Sequence, residues 1–342
     1  MTEMDSNEDK KMMVPPSPVR RRAIQLVDSI KKGLFVIGTA LLIFVCARNS
    51  IHWHIQKFWG ASGNFWQNCW QKIHVNVFGE DDLLIGVVGT LVVLISIFWL
   101  ANIGLVFLEI TGRPKALLKY KIQEDKNIPV DKEKLKKAVW LVIFNQTVIG
   151  IPFVYIAYCI MKWRGCTFRA EDLPTFHWTL FELIIFSLVE EVFFYYSHRL
   201  FHHRLIYKHI HKVHHEWTAP IGIISIYAHP VEHVFSNLIP PALGPIFMGS
   251  HLASAWLWFC IALLSTTVAH CGYHFPLLPS PEAHDYHHFK FTQNYGVLGV
   301  LDRLHGTDNQ FRASKQYQRH ILLLSLAPLT EQIPDSPKKK PE

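Results

Sequence analysis

The chain has 342 residues, half of them apolar and 13% aromatic, with a formal net charge of +7. Charged residues reach only 18%, below the roughly 25% usual in soluble domains, and long apolar runs indicate a membrane protein rather than a soluble one. The basic residues flank those runs instead of forming a stripe with stacking aromatics, which argues against nucleic-acid binding.

Residues 1–32 are polar, carry Pro15, Pro16 and Pro18, and end on Arg20, Arg21, Arg22, Lys31 and Lys32. They lack the layout of a cleavable signal peptide and read as a disordered cytosolic tail. Apolar runs follow at 33–49, 83–108, 138–161 and 178–197. A fifth apolar region, 235–269, is broken by Pro240, Pro241 and Pro245. It is long enough for a hairpin, or for one span plus a re-entrant piece. The expected fold is therefore all-α, a polytopic membrane helix bundle.

The basic tail and the basic loop 111–137 should share the cytosolic side. Two spans lie between them, so the parity agrees. The next two spans return the chain to the same face at His198, and an even number of passes or a dip in 235–269 keeps 270–288 there. Residues 33–177 then form an N-terminal transmembrane region, 178–310 a histidine-bearing domain and 311–342 a cytosolic C-terminal tail. Trp53, Trp59, Trp66 and Trp70 read as rings at the headgroup level. Cys69 and Cys166 fall on the luminal side, where a disulfide between them is one option. Near the end, Lys339 and Lys340 in "KKKPE" resemble the dilysine retrieval signal of endoplasmic reticulum membrane proteins.

Of the 21 histidines, the dense clusters all fall between His198 and His288. His198 and His202 are four apart and share a helix face; His203 lies one residue further, about 100° around. His211, His214 and His215 follow an i, i+3, i+4 pattern, as do His284, His287 and His288. His270 and His274 are again four apart. His209 lies about 200° from His211 on a helix and is expected to be a bystander. Four clusters thus offer ten imidazoles, enough for two metals with about five ligands each. Neutral imidazole suits iron, zinc or copper. Structural zinc needs only four ligands, usually with thiolate, and copper redox sites usually add sulfur, which is not placed here. The chain contains no Glu-x-x-His, the ligand pair of soluble di-iron bundles. A histidine-rich di-iron site at a membrane surface remains, as a cytosolic di-metal cap on the bundle. Cys271 is expected to point away from such an oxidising centre. Glu190 and Glu191, at the end of the fourth run, are costly in a membrane and usually functional there; Arg199 and Arg204 are candidate partners.

The boxes H-x3-H, H-x2-H-H and H-x2-H-H, the "HPVE" at 229–232 and the stretch "HDYHHFKFTQNYGVLGVLDRLHGT" at 284–307 resemble the fatty acid hydroxylase and sterol desaturase superfamily, over roughly 178–310. The layout is similar to relatives of the sterol C4-methyl oxidases. The resemblance implies an endoplasmic reticulum lipid oxygenase using dioxygen and two iron ions, with electrons from NAD(P)H, often through cytochrome b5. It implies His198, His202, His211, His214, His215, His270, His274, His284, His287 and His288 as ligands, with His203 the alternative to His202. His229, Glu232 and Asp285 are expected to orient ligands. On the resemblance, sterol C4-methyl oxidation leads, with oxidation of a fatty acyl or sphingoid chain the alternative; hydroxylation and desaturation are not separated by any residue. A non-catalytic metal-binding membrane or signalling protein is the reading from another class.

Overall fold

The computed structural model describes residues 18–335. Among them every regular element is helical, and the one β contact is an isolated bridge between Lys121 and Tyr273. The chain divides into two units, residues 1–64 and 65–342.

Helix α1, Pro18–Gln71, starts inside the tail read as disordered, whose first 17 residues lie outside the described ones, as does the "KKKPE" end. No proline follows Pro18 within it, so the helix runs on for 54 residues rather than stopping near 49. In the first unit its side chains Leu34, Phe35, Leu42 and Ile43 are exposed, as lipid-facing side chains would be.

Among the described residues of the second unit, three helices are long and apolar enough to cross a membrane: α2, Leu84–Thr111, α3, Lys132–Arg164, and α6, Leu252–His270. Helix α4, Phe176–Phe201, is equally long but carries Glu182, Glu190 and Glu191, which keeps it out of that class. The 235–269 region resolves into most of a helix α5, residues 230–248, a turn with Gly249 in the left-handed conformation, and α6. Helix α5 runs unbroken through Pro230–Glu232, the π-helical His233–Leu238 and Ile239–Met248, roughly 27 Å in all, but Glu232, His233, Asn237 and its prolines leave it less apolar than the three span-class helices, so this region is one such helix preceded by a more polar one.

Helix α5 packs on α4, and α6 on α2. The first contact depends on Gly244: a Cβ there would lie 2.8 Å from the Phe186 Cα. Trp70 does not sit at a headgroup surface. It is buried, and its indole N–H donates to the Phe168 carbonyl at 2.7 Å. Cys69 and Cys166 are both free thiols, so the disulfide option is not realised. A core of Phe98, Val142, Trp217, Ile223, Ile224 and Tyr227 joins α2 and α3 to the 217–228 loop. That loop and the C-terminal ends of α4 and α6 frame the histidine site.

Candidate metal centre

The last turns of α4 present His198 and His202 on one face, their rings 5.0 Å apart. Helix α4 ends at Phe201 and the chain turns at His203, whose Nδ1 accepts from the Leu205 N–H at 3.4 Å and caps the next short helix. Of these two adjacent histidines, His202 therefore faces inward. His211 and His215 are joined by a backbone hydrogen bond, His215 N–H to His211 O, and His209 between the boxes is exposed. Helix α7, Glu282–Lys290, supplies His284, His287 and His288.

Nine imidazoles converge into two groups. His198, His202, His211, His215 and His287 form one; His214, His270, His284 and His288 form the other; within each, the donor atoms lie within 4.8 Å of one another. The division follows helix geometry. Residues four apart stay together, as His198 with His202, His211 with His215 and His284 with His288. The residue at i+3, His214 or His287, lies about 100° from its i+4 neighbour and joins the other group. Each H-x2-H-H box therefore serves both groups.

His274 stands outside both. Its Nε2 donates to the Ile321 carbonyl at 3.0 Å, with Nδ1 3.5 Å from Glu282 Oε1. The reason is local: α6 ends at His270, and Gly272 in the left-handed conformation breaks the helical register that would have stacked residue 274 on residue 270.

The rings are aimed from behind. The Nδ1–H groups of His198, His287, His214, His270 and His288 donate to the carbonyls of Tyr295, Gln293, Tyr227, Thr266 and Trp217, at 2.7 to 3.0 Å. His211 Nδ1 meets Glu232 Oε1 at 2.7 Å. A carbonyl can only accept, so these rings carry their proton on Nδ1 and leave Nε2 as a lone pair. Burial pushes His198 and His214 down to about 4. It holds His202, His211, His215, His284, His287 and His288 well below the usual imidazole value, helped by the neighbouring rings. His214 and His270 thus point two bare lone pairs at each other across 3.4 Å, and the buried Nε2 of His288 has no hydrogen-bond partner. Mutually facing acceptors repel unless a cation lies between them. The donor set fits soft or borderline divalent metals bound by neutral imidazole.

A family model for fatty acid hydroxylase matches residues 183–307, a span holding all nine converging histidines. Fatty acid hydroxylase domain-containing protein 2 of Homo sapiens is 54% identical over 311 residues, covering 91% of this chain and 93% of the relative. The chain belongs to the fatty acid hydroxylase family. The same-named protein of Macaca fascicularis matches at the same identity and coverage. Methylsterol monooxygenase 2-2 of Arabidopsis thaliana is 32% identical over 264 residues, 74% of this chain and 95% of that relative. No solved structure matches.

Other family-motif residues take varied places. Glu232, buried, touches His211 as described. His229 caps the start of α5, its Nδ1 accepting from the Val231 N–H at 3.2 Å. Asp285 accepts from Gln123 Nε2 at 2.9 Å rather than from an imidazole, and is pushed up to about 7 by burial. Cys271 turns away, donating its thiol to the Tyr273 carbonyl at 3.1 Å, and burial raises it to about 12. Glu191 pairs with neither arginine. Its carboxylate accepts from the backbone N–H groups of Val297, Leu298 and Leu301 at 2.7 to 2.9 Å, while Arg199 donates to the Tyr195 hydroxyl at 3.0 Å. Asp302 accepts from the N–H groups of Tyr295 and Gly296 at 2.8 and 2.7 Å. The two acids clasp the "NYGVLGVLD" turn whose Tyr295 carbonyl aims His198. Nothing in the residue types announced the aiming carbonyls, since every residue has one.

An apolar cavity of about 780 Å³ runs between the long helices, past Leu91, Leu94, Phe153 and Leu263, to His270 and His284. Its volume falls within the roughly 300–1,000 Å³ of ligand cavities.

Proposed function

We propose that the chain is a membrane-bound lipid oxygenase of sterol C4-methyl oxidase type, with two iron ions held by the nine converging imidazoles. The carrying observation is that an apolar cavity of about 780 Å³ is lined by His270 and His284, two members of one group. The methylsterol monooxygenase relative supports a methylated sterol as substrate. Iron bound there would supply the one-electron chemistry with dioxygen that attacks an unactivated C–H bond.

The chain's own residues do the rest. The five carbonyls and Glu232 hold the rings as neutral ligands with Nε2 forward. The cavity wall seats the apolar body of the lipid and excludes water. Cys271, turned away and protonated, is kept from oxidation. The balance is one C–H bond becoming C–OH, with the second oxygen atom leaving as water. Two protons and two electrons are consumed. The electrons come from NAD(P)H through a carrier such as cytochrome b5. The placement is the endoplasmic reticulum membrane, with the histidine cap and both termini on the cytosolic side, as the basic flanks suggest.

Lipid profiling, sterols included, of cells lacking the protein tests this. Methylated sterols should accumulate and be cleared by the wild type but not by His214→Ala. A hydroxylated acyl or sphingoid lipid lost instead would move the substrate to the acyl class. No change in any lipid, or equal rescue by both forms, would sink the enzymatic reading.

A further inference from the structure

The stretch after Arg319, "HILLLSLAPL", has no regular structure until the short helix Leu329–Gln332. It is strongly apolar, yet Ile321, Leu322, Leu324 and Leu326 are exposed by 50, 54, 74 and 75%, and only Leu323 is buried among them. Leu277, 72% exposed, lies beside them, its N–H donating to the Leu323 carbonyl. The strap is held deliberately. His274 Nε2 donates to the Ile321 carbonyl. Lys119 Nζ and the Tyr120 hydroxyl both donate to the Leu326 carbonyl at 2.9 Å. His320 Nδ1 lies 3.0 Å from Ser280 Oγ.

Two features say what covers this face. Lys119 and Tyr120 lie eight and nine residues beyond Thr111, the end of the α2 span, so the strap is tied to the edge of a membrane-crossing helix. Exposed leucines there continue the apolar band of the span, and the exposed Lys119 beside them is a side chain that reaches headgroup level while its stem stays apolar. In water the same patch would be an aggregation liability. His320, Ile321 and Leu322 also line the cavity that reaches His284.

We propose that residues 321–326, with Leu277, form a lip inserted into the bilayer interface at the mouth of the cavity, clamped to the cap by His274. A lipid then enters over apolar side chains without crossing water. The insertion stands on the exposure and the anchoring alone; its use as a substrate entrance rests on the lipid-oxidation reading. His274 thereby has a role other than metal ligation.

The full chain in phosphatidylcholine nanodiscs, with benzoylphenylalanine in place of Leu324, tests insertion. Irradiation should give a phospholipid adduct at a yield at least about tenfold above that from the same probe at Asp125, an exposed polar loop position, because an interfacial side chain meets lipid continuously. Adducts with a second copy, or equal yields at both positions, would overturn the lip. The clamp is tested by His274→Ala. Metal per chain should equal the wild type, while hydrogen exchange across 320–326 quickens about tenfold or more as local opening becomes easier. Metal loss with unchanged exchange would make His274 a ligand and overturn the clamp. Neither readout needs turnover, so a silent activity assay would count against the oxygenase reading alone.

Discussion

The two histidine groups are built from the same boxes yet sit in different surroundings. The five-membered group, His198, His202, His211, His215 and His287, has a carboxylate behind it, Glu232 on His211. None of its members lines the cavity. The four-membered group, His214, His270, His284 and His288, is backed by carbonyls, and two of its members face the cavity. Metal sites that keep a position open for a reactant carry fewer protein ligands than closed ones. On the proposed function, the four-membered group is where substrate and dioxygen meet, and the five-membered group is the fuller, more remote partner.

That asymmetry is broken most directly by removing one ligand from each side. His288→Ala leaves three imidazoles in the smaller group, whereas His202→Ala leaves four in the larger. Removing groups that only orient a ligand costs roughly 10–100-fold, so losing His288 should lower turnover by more than about a hundredfold, with loss of one metal per chain. His202→Ala should retain both metals and lose about tenfold. Metal analysis beside product formation reads both, and equal losses would erase the distinction.

Next in size is the carboxylate. Glu232→Leu should weaken the five-membered group by about 10–100-fold in metal affinity, leaving the other group filled. Glu232→Gln keeps an oxygen that can accept from His211 Nδ1 and should retain most of the affinity. Titration with a competing chelator distinguishes the two. If both variants behave alike, the contact between Glu232 and His211 is packing alone.

The spacing puts His202 rather than His203 on the face of His198, because residues four apart on a helix are neighbours, and those two rings do stand together. The apolar runs at 83–108 and 138–161 also correspond to long helices. The split of each H-x2-H-H box between groups was implicit in the 100° step between adjacent residues, but reading i, i+3 and i+4 as one face hid it. His274 lies outside both groups because its spacing from His270 means nothing once Gly272 interrupts the helix. Glu191 is a different failure. Its partners are backbone N–H groups more than a hundred residues away, and no pattern of side chains marks them.

A smaller effect therefore comes from the clasp that aims His198 from a distance. Gly296→Ala would put a Cβ 2.8 Å from Glu191 Oε1 and 3.0 Å from Asp302 Oδ2, forcing the two acids apart. Hydrogen bonds to a charged group are worth about 1.5–3 kcal/mol each, so partial loss should lower thermal stability by about that amount. Activity should fall only several-fold, since four other imidazoles still define the group. A thermal melt and a metal count suffice. Metal lost from the four-membered group instead would show that the clasp does not act through His198.

The smallest expected effect is at His209, two residues before His211 in "YKHIHKVHH". It is exposed and belongs to neither group. An exposed substitution away from caps and cores usually stays within about 0.5 kcal/mol. His209→Ala should keep wild-type metal content and turnover, where His211→Ala loses both the ring and its link to Glu232. If His209→Ala released metal, histidine richness rather than ring direction would be what binds it, and the division into two aimed groups would lose its basis.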